Sequence, residues 1–595
     1  MQGVGTDPGL VRFDRTGSVA VLVLAHPPVN TLTGPVQAAL LAALQVVEAD
    51  ASISAVILRG EGRVFSAGVD IREAGQAARR AELAALCRRV EEFPRPVIAA
   101  LHGTALGAGC ELALAAHYRI ANASAVLGLP EVGLGLVPGA GATQRLPRLV
   151  GAEAALQVML SGAPLRAAEA LVLGLVDRVV SENLGEAALA MAVEGLGPRP
   201  TRDRREGFRD MLAYQAAVAR ARAVHKFSPL PAPARIIDCI EAAALLPYDM
   251  GLAMEATAFE DLAATPQAHG LRHAFQAERR ALQPPALDQT GAGQALPVVQ
   301  TLGVWGAGDP ATALAHQALA AGLGVVLCDE SRPRLADALG RIAALQDQAV
   351  AAGHLTEDAR DSAWAHLSSA MTVQALAGLD LIVRAEGLDL PQAAVLGAAA
   401  GPGDVGITVP EGAGGLAELS CGAAAVPDLI ARLVALGRRL QWRVVTVGPG
   451  GPVELGLRLA LDAAERHLMA TGQTPEAVTA ALRAFGLGGP VTSALPAMPR
   501  GGGTIVQACL AAMAAEGARM LADGRARRPC DIDSVALLSG LVPRWQGGPM
   551  FLADQRGLMV LRADLRKWDD PVFAVPDLLD ALIADGRRFG DLDLA

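Results

Sequence analysis

Aromatic residues make up only 3% of this 595-residue chain, and its formal charge is −10. No concentrated positive field is expected, so nucleic acid is not an expected partner. The seven cysteines are scattered from Cys87 to Cys530 without a Cys-x-x-Cys pair. They read as small buried hydrophobes in a reducing, cytoplasmic compartment rather than as disulfides or metal ligands. His-Glu-x-x-His and phosphate-loop motifs are missing as well, so no metal is expected. The opening stretch MQGVGTDPGLVRFDR has no basic segment followed by an apolar one, which argues against a signal peptide. No uninterrupted apolar run long enough to span a bilayer is evident. The closing Asp593-Leu594-Ala595 is not a peroxisomal address.

What is present is ample apolar material, 52% of residues, enough for several cores. Up to about residue 200 short β-rich runs alternate with helical ones. Val19–Leu24, Ala55–Arg59 and Pro96–Leu101 read as strands, and 34–49 and 76–92 as helices. This β/α alternation predicts parallel crossovers. Residues 207–283 are nearly all helical in pattern, and Gln283-Pro284-Pro285 opens a linker reaching Gly293. A second α/β unit starts near Val298 and runs to about 448, where Gly448–Pro452 opens a helical last third. The expected division is 1–200, 201–295, 296–448 and 449–595.

Chemistry concentrates between His102 and Gly151. Two glutamates, Glu111 and Glu131, each follow a glycine- or proline-marked turn. Gly107-Ala108-Gly109 precedes an apolar helical run, and small residues there let a ligand approach the helix's free N–H groups. A thioester oxygen that gains charge during reaction would be stabilised at such a spot. The upstream turn Phe65-Ser66-Ala67-Gly68-Val69-Asp70 offers a second N–H, that of Val69. Taken singly, each glutamate is equally well an ordinary helix-start carboxylate. Two carboxylates with two exposed N–H turns are the parts needed to add water to an activated acyl double bond.

These motifs resemble the crotonase (enoyl-CoA hydratase/isomerase) family. The resemblance runs from residue 10 to about 190 through PPVNTLT at 27–33, FSAGVDIREAG at 65–75, ALGAGCELALAAHYRIA and GLPEVGLGLVPGAGATQRLPRLVG. It implies the family's spiral ββα fold, an acyl-CoA thioester as partner and no cofactor for hydration. It further implies that the N–H groups of Val69 and Ala108 form an oxyanion hole. Glu111 and Glu131 become the acid/base pair, with Gly139 beside the catalytic water. Glu111 is expected to activate the water and Glu131 to protonate C2. An isomerase of this family typically depends on one glutamate, so two favour hydration. His117-Tyr118 resembles the variant found in multifunctional β-oxidation enzymes, which fuse a hydratase to a dehydrogenase.

The second half resembles the rest of such an enzyme. Gly306, Gly308 and Ala311 form a GxGxxA turn between a strand and a helix, and Asp329 ends the next strand, as in a Rossmann-like dinucleotide site. Glu516–Arg519, Cys530–Asp533 and Pro543–Phe551 fit the helical 3-hydroxyacyl-CoA dehydrogenase C-terminal region. The reacting groups are missing, however. No histidine lies between His366 and His467, and no asparagine follows Asn183. Where Asn-Thr-Ser is expected the chain reads Ala399-Ala400-Gly401, and an expected Glu-Ala step is Arg384-Ala385. A proton acceptor cannot be replaced by packing residues. The resemblance therefore implies NAD for this half, while the missing groups predict that oxidation is lost. Two other readings stay open: oxidation persists through His366 or His467, or residues 296–595 are a non-catalytic platform. His26, His102 and His117 are expected to pack or bond locally, Arg145 and Arg148 to be solvated unless they meet CoA phosphates, and the arginines of 202–209 to be a solvated loop. The chain is expected to act as a monomer or small assembly.

Overall fold

The computed structural model describes residues 9–70, 76–283, 296–385, 393–397, 403–412, 414–487 and 495–594. Two compact units result, Met1–Arg272 and His273–Ala595. Ile71–Gly75 of the FSAGVDIREAG motif, Ala399–Gly401 and most of the expected linker lie outside the described residues.

The first unit is built on a six-stranded sheet. β1 (Val11–Thr16) pairs antiparallel with β2 (Val19–Leu24), followed in parallel by β3 (Ala55–Gly60), β4 (Val97–Leu101), β6 (Tyr118–Asn122) and β9 (Arg178–Val180). All five residues of β4 are buried, the continuous apolar run of a strand covered on both faces. A small second sheet joins β5 (Thr104–Leu106), β7 (Val126–Gly128) and β8 (Leu165–Arg166). Helix α1 (Gly34–Ala49) follows β2 and α2 (Ala77–Glu91) follows β3. In α1, Val36, Leu40, Leu44 and Val47 bury one stripe. Helix α3 (Ala108–Ala115) is buried at all eight positions. Helix α4 (Ala142–Ser161) precedes α5 (Ala167–Val172) and α6 (Leu184–Ala192). The expected helical stretch forms α7 (Met211–Val224), α8 (Ala232–Leu245), α9 (Tyr248–Ala263) and α10 (Pro266–Ala281). Ile236, Ile237, Ile240, Phe259 and Leu262 share one core with the first two hundred residues. The unit boundary falls inside α10, so α7–α9 complete the first core.

The second unit contains an eight-stranded sheet in the order β12-β11-β10-β13-β14-β15-β16-β17. β10 (Thr301–Trp305), β11 (Gly324–Cys328), β12 (Leu367–Ala370), β13 (Leu381–Arg384), β14 (Ala394–Leu396) and β15 (Val405–Ile407) are mutually parallel. β16 (Leu416–Cys421) pairs antiparallel with β15 and parallel with β17 (Arg443–Val447). A helical region follows from Val453. Its helix Gly502–Ala522 is long and apolar enough, by length and composition alone, to cross a membrane, a candidate the sequence reading did not pick out. In this structure it is the core helix of the helical region, buried along Ile505, Cys509, Ala512 and Met513.

Candidate active site

Two pieces of backbone zipped together create the candidate oxyanion site. Ser66 N–H donates to Thr104 O (3.0 Å), Leu106 N–H to Ser66 O (3.1 Å) and Phe65 N–H to His102 O (2.9 Å). Ala67 N–H reaches Val29 O, and Gly68 N–H reaches Ser66 Oγ at 3.2 Å. Val69 is the first N–H of the turn outside these pairings. Gly68 has φ +94°, and a β-carbon there would lie 3.3 Å from the Ala108 nitrogen. The turn thus runs against the first N–H of α3, beside Val69. Asn30 fixes the turn from below: its Nδ2 donates to the carbonyls of Glu61 and Val64 (both 2.9 Å), and its backbone carbonyl accepts from Ser66 Oγ at 2.7 Å. That role belongs to Asn30 of the PPVNTLT motif.

Glu111 lies on the first turn of α3 and is only 3% exposed. Its Oε1 accepts the Ala140 N–H at 2.7 Å. Glu131 sits on a 3₁₀ turn (Pro130–Leu134), and its Oε1 would be 3.2 Å from a β-carbon on Gly107, the residue that caps α3. Glu131 Oε2 is buried with no hydrogen-bond partner among the described residues. The two carboxyls therefore share one apolar recess at the start of α3. Burial, then the charge of Glu255, pushes Glu111 up to about 7, while the Ala140 N–H pulls the other way. Burial, then the charge of Glu111, lifts Glu131 well above the carboxylate range. Two such groups cannot both ionise, and the unpartnered Glu131 is the one that keeps its proton.

The strap from Pro138 to Thr143 closes the recess. Ala140 is held on both sides, its N–H by Glu111 and its carbonyl by Arg145 Nη1 at 2.6 Å. Arg145 in turn makes a two-pronged pair with Glu91 (3.1 and 2.9 Å), to which Tyr248 adds its hydroxyl at 3.0 Å. Arg145 is 1% exposed and Arg148 2%. The expectation that they are solvated or bind CoA phosphates is corrected: both are buried framework, Arg145 holding the strap at Ala140 O and Arg148 bonding Gln144 O against the rings of Phe208 and Tyr248. In the 202–209 loop Arg205 and Arg209 are exposed as expected, while half-buried Arg202 pairs with Glu92 and Asp249 and half-buried Arg204 with Glu206. Gly139 packs against Arg80, which donates to its carbonyl at 3.2 Å, and a β-carbon on it would lie 2.9 Å from Phe259. Glu255 of α9, which the sequence reading missed, accepts from Gly141 N–H (2.6 Å), Thr143 N–H (3.0 Å) and Thr143 Oγ1 (2.6 Å). No motif marks it; the only signal is a carboxylate on a helix stripe that also buries Gly251, Ala258 and Phe259. His117 packs as expected, with its ring nitrogens on Val97 N–H and Glu91 O, and His102 bonds Gly62 O.

In the second unit the glycine turn forms. Gly306 has φ +111°, and a β-carbon there would meet Ala385 Cβ at 2.7 Å; Gly308 caps the helix Asp309–Ala320, in which Ala311 is buried. Asp329 accepts from Ala307 N–H (3.0 Å) and Ser331 N–H (2.8 Å) and pairs with Arg334 at 3.2 Å. Arg384 ends β13 beside Trp305 and meets Asp404 at 3.4 Å. The two histidines held open as bases lie elsewhere. His366 immediately precedes β12, at the amino end of the parallel strands, whereas the glycine turn follows their carboxyl end, and its ring bonds Ser362 O. His467 lies far along the helix Val453–Ala470 and pairs with Asp570 between Trp568 and Phe573.

Residues 14–199 match the enoyl-CoA hydratase/isomerase family, and residues 301–389 match the NAD binding domain of 3-hydroxyacyl-CoA dehydrogenase. The chain joins a crotonase domain to a dehydrogenase-type NAD-binding domain. A peroxisomal bifunctional enzyme of Danio rerio is 39% identical over 271 residues, 44% of this chain and 37% of that protein. A fatty acid oxidation complex subunit alpha of Shewanella amazonensis is 35% identical over 405 residues, 63% of this chain and 56% of the relative. The chain thus spans between about a third and a little over half of the length of these relatives. A solved enoyl-CoA hydratase of Bacillus anthracis is 30% identical, covering 45% of this chain and 96% of its own, with a TM-score of 0.31. Glu111, Glu131 and Gly139 fall inside the crotonase match; Glu255 falls beyond its end.

Proposed function

We propose that the first unit hydrates trans-2-enoyl-CoA thioesters to 3-hydroxyacyl-CoA, with no cofactor. The observation that carries this is the Glu131 carboxyl, buried and with an unpartnered Oε2, its pKa lifted by burial and by Glu111 in the same recess. In this reading the thioester oxygen lies between the Val69 and Ala108 N–H groups, which stabilise the charge that develops on it. Water beside Gly139 gives a proton to Glu111 as its oxygen bonds C3. Glu131 gives its proton to C2, and the C2–C3 double bond becomes single. Proton exchange between the two carboxyls restores the pair. The reading assigns the chemistry to 1–200, the helical extension to 201–295, the dinucleotide-type fold to 296–448 and the helical dehydrogenase-type region to 449–595. Seven free, buried cysteines support a reducing, cytoplasmic setting.

The second unit fits a dinucleotide in part. Gly306, Gly308, Ala311 and the following helix N-terminus would hold the pyrophosphate of NAD, and Asp329 would face its ribose. Bound NAD would supply a hydride acceptor. Among the described residues neither candidate histidine is placed to accept the hydroxyl proton: His366 is at the amino end of the parallel strands, away from the glycine turn, and His467 is about 21 Å along its helix from Val453. We infer that oxidation is lost. The test is one tube of full-length protein with crotonyl-CoA and NAD. Loss of the enoyl thioester absorbance without rise of nicotinamide absorbance is expected; an inert enoyl band would overturn the hydration reading.

A further inference from the structure

We propose that Glu255 is a positioning residue for hydration: anchored on Gly141 and Thr143, it holds the strap that presents Ala140 to Glu111. The inference rests on the hydration reading and concerns a residue of α9 outside the matched crotonase segment.

Glu255 is 1% exposed, and every hydrogen bond it makes is one it accepts. The Thr143 hydroxyl itself accepts from Gln144 Nε2 at 3.0 Å, so its own proton is directed at Glu255. Three donors and no acceptor favour the anion and work against burial, which lifts the carboxyl above its ordinary value. Among the described residues no arginine or lysine pairs with it; Arg145, the nearby cation, is committed to Glu91. Burying a carboxylate without a paired cation is costly. Capping α4 does not require this, since a small polar side chain at the N-cap serves as well, and that position is Gly141. What Glu255 achieves beyond a cap is placement. Along the strap Gly139 is held by Arg80, Ala140 by Arg145 and Glu111, and Gly141 and Thr143 by Glu255. Gly141 has φ +97°, so its backbone turns sharply between Arg145 and α9.

Charge adds a second effect on the same partner. The groups facing Glu111 and Glu255 are Glu131 from the 3₁₀ turn, Arg145 from α4, Cys87 and Glu91 from α2, Cys110 from α3 and Cys239 from α8. The Glu91–Arg145 pair is internally neutral and the thiols are lifted by burial, which leaves Glu255 and Glu131 as the remaining acidic neighbours of Glu111. Glu131 holds its proton, so Glu255 is the charge that makes Glu111 a stronger base.

The experiment is the pH profile of kcat and KM for crotonyl-CoA with the full chain and three variants. Glu255→Gln keeps the shape and removes the charge. We expect kcat to fall about 10²-fold with KM little changed, and the acidic limb to move to lower pH. Glu255→Asp keeps the charge but shortens the reach, so kcat falls while the acidic limb stays in place. A purely structural cap would lower thermal stability without moving that limb. Should Glu255→Gln fail to fold, Thr143→Val removes one of the three donors and is expected to lower kcat while the near-UV tyrosine signal is kept. A parent that hydrates and a Glu255→Gln profile superimposed on it would overturn the inference, as would an unchanged kcat in Thr143→Val when Glu255→Gln is unfolded. An inert parent would remove the hydration reading itself and this inference with it.

Discussion

Replacing Glu111 by Gln should make the protein less active and, toward alkaline pH, comparatively more stable. The carboxyl is buried, and its pKa rises from 4.5 to about 7. A folded-state pKa above the unfolded one means that the folded chain binds a proton the unfolded chain has released. Stability from this group is complete below the unfolded value and is lost as pH climbs to the folded one. The loss levels off near pH 7 at about 3 kcal/mol, at about 1.4 kcal/mol per pKa unit. Glutamine has no such dependence, and its carbonyl can still accept the Ala140 N–H. The stability difference between variant and parent should therefore move in the variant's favour by about 3 kcal/mol from about pH 4 to about pH 8. An amide N–H₂ left without a partner offsets some of the absolute gain by about 1–3 kcal/mol but does not alter the pH dependence. Hydration should fall by about 10²–10⁴, or about 3–5 kcal/mol of barrier. The chain offers a convenient internal control. Its five tryptophans, Trp305, Trp364, Trp442, Trp545 and Trp568, all lie in the second unit, and its three tyrosines, Tyr118, Tyr214 and Tyr248, all in the first. Urea unfolding followed by near-UV tyrosine dichroism should show the pH-dependent shift, while the tryptophan fluorescence transition stays put. A variant that hydrates at the parent rate, or a tyrosine transition whose offset is flat across that pH range, would refute the reasoning.

Other substitutions test the remaining parts of the site. Ala108→Pro removes the N–H assigned to the oxyanion site and should cost about 3 kcal/mol of transition-state stabilisation, while Ala108→Gly stays near the parent; equal rates in the two, with matched melting curves, would take Ala108 out of the site. Arg145→Met strands Glu91 without its cation and should destabilise the first unit by about 3–5 kcal/mol, read as an earlier tyrosine transition. L-3-hydroxyacyl-CoA supplied directly with NAD at alkaline pH should yield no NADH, because His366 and His467 lie away from the glycine turn; steady NADH formation that survives Glu111→Gln would restore the dehydrogenase reading.

Much of the architecture was legible because it depends on local pattern. Strand Val19–Leu24 and helix Gly34–Ala49 occupy the residues their period assigned, since a buried strand and a one-sided helix leave clear marks in sequence. Strand Val11–Thr16 was not recognised; its residues are half-exposed and largely polar, and only pairing with β2 makes it a strand. The two-residue strand Leu165–Arg166 is similarly silent, because its partner β7 lies far away along the chain.

The sequence by itself determined the chemical inventory: two glutamates behind small-residue turns, a glycine turn opening a second α/β unit, and no histidine or asparagine where oxidation would need them. These are matters of composition and short-range spacing, which folding does not alter. Only the tertiary structure decided the electrical state of those groups. Glu111 and Glu131 are ordinary acids in an open chain; burial in one recess, with Glu255 nearby, lifts both above the usual carboxylate range. It also decided that Arg145 serves the framework rather than a phosphate, because Glu91 meets it 54 residues away in sequence. The environment that sets a pKa comes from residues brought together across the whole first unit, and no local stretch of sequence contains it.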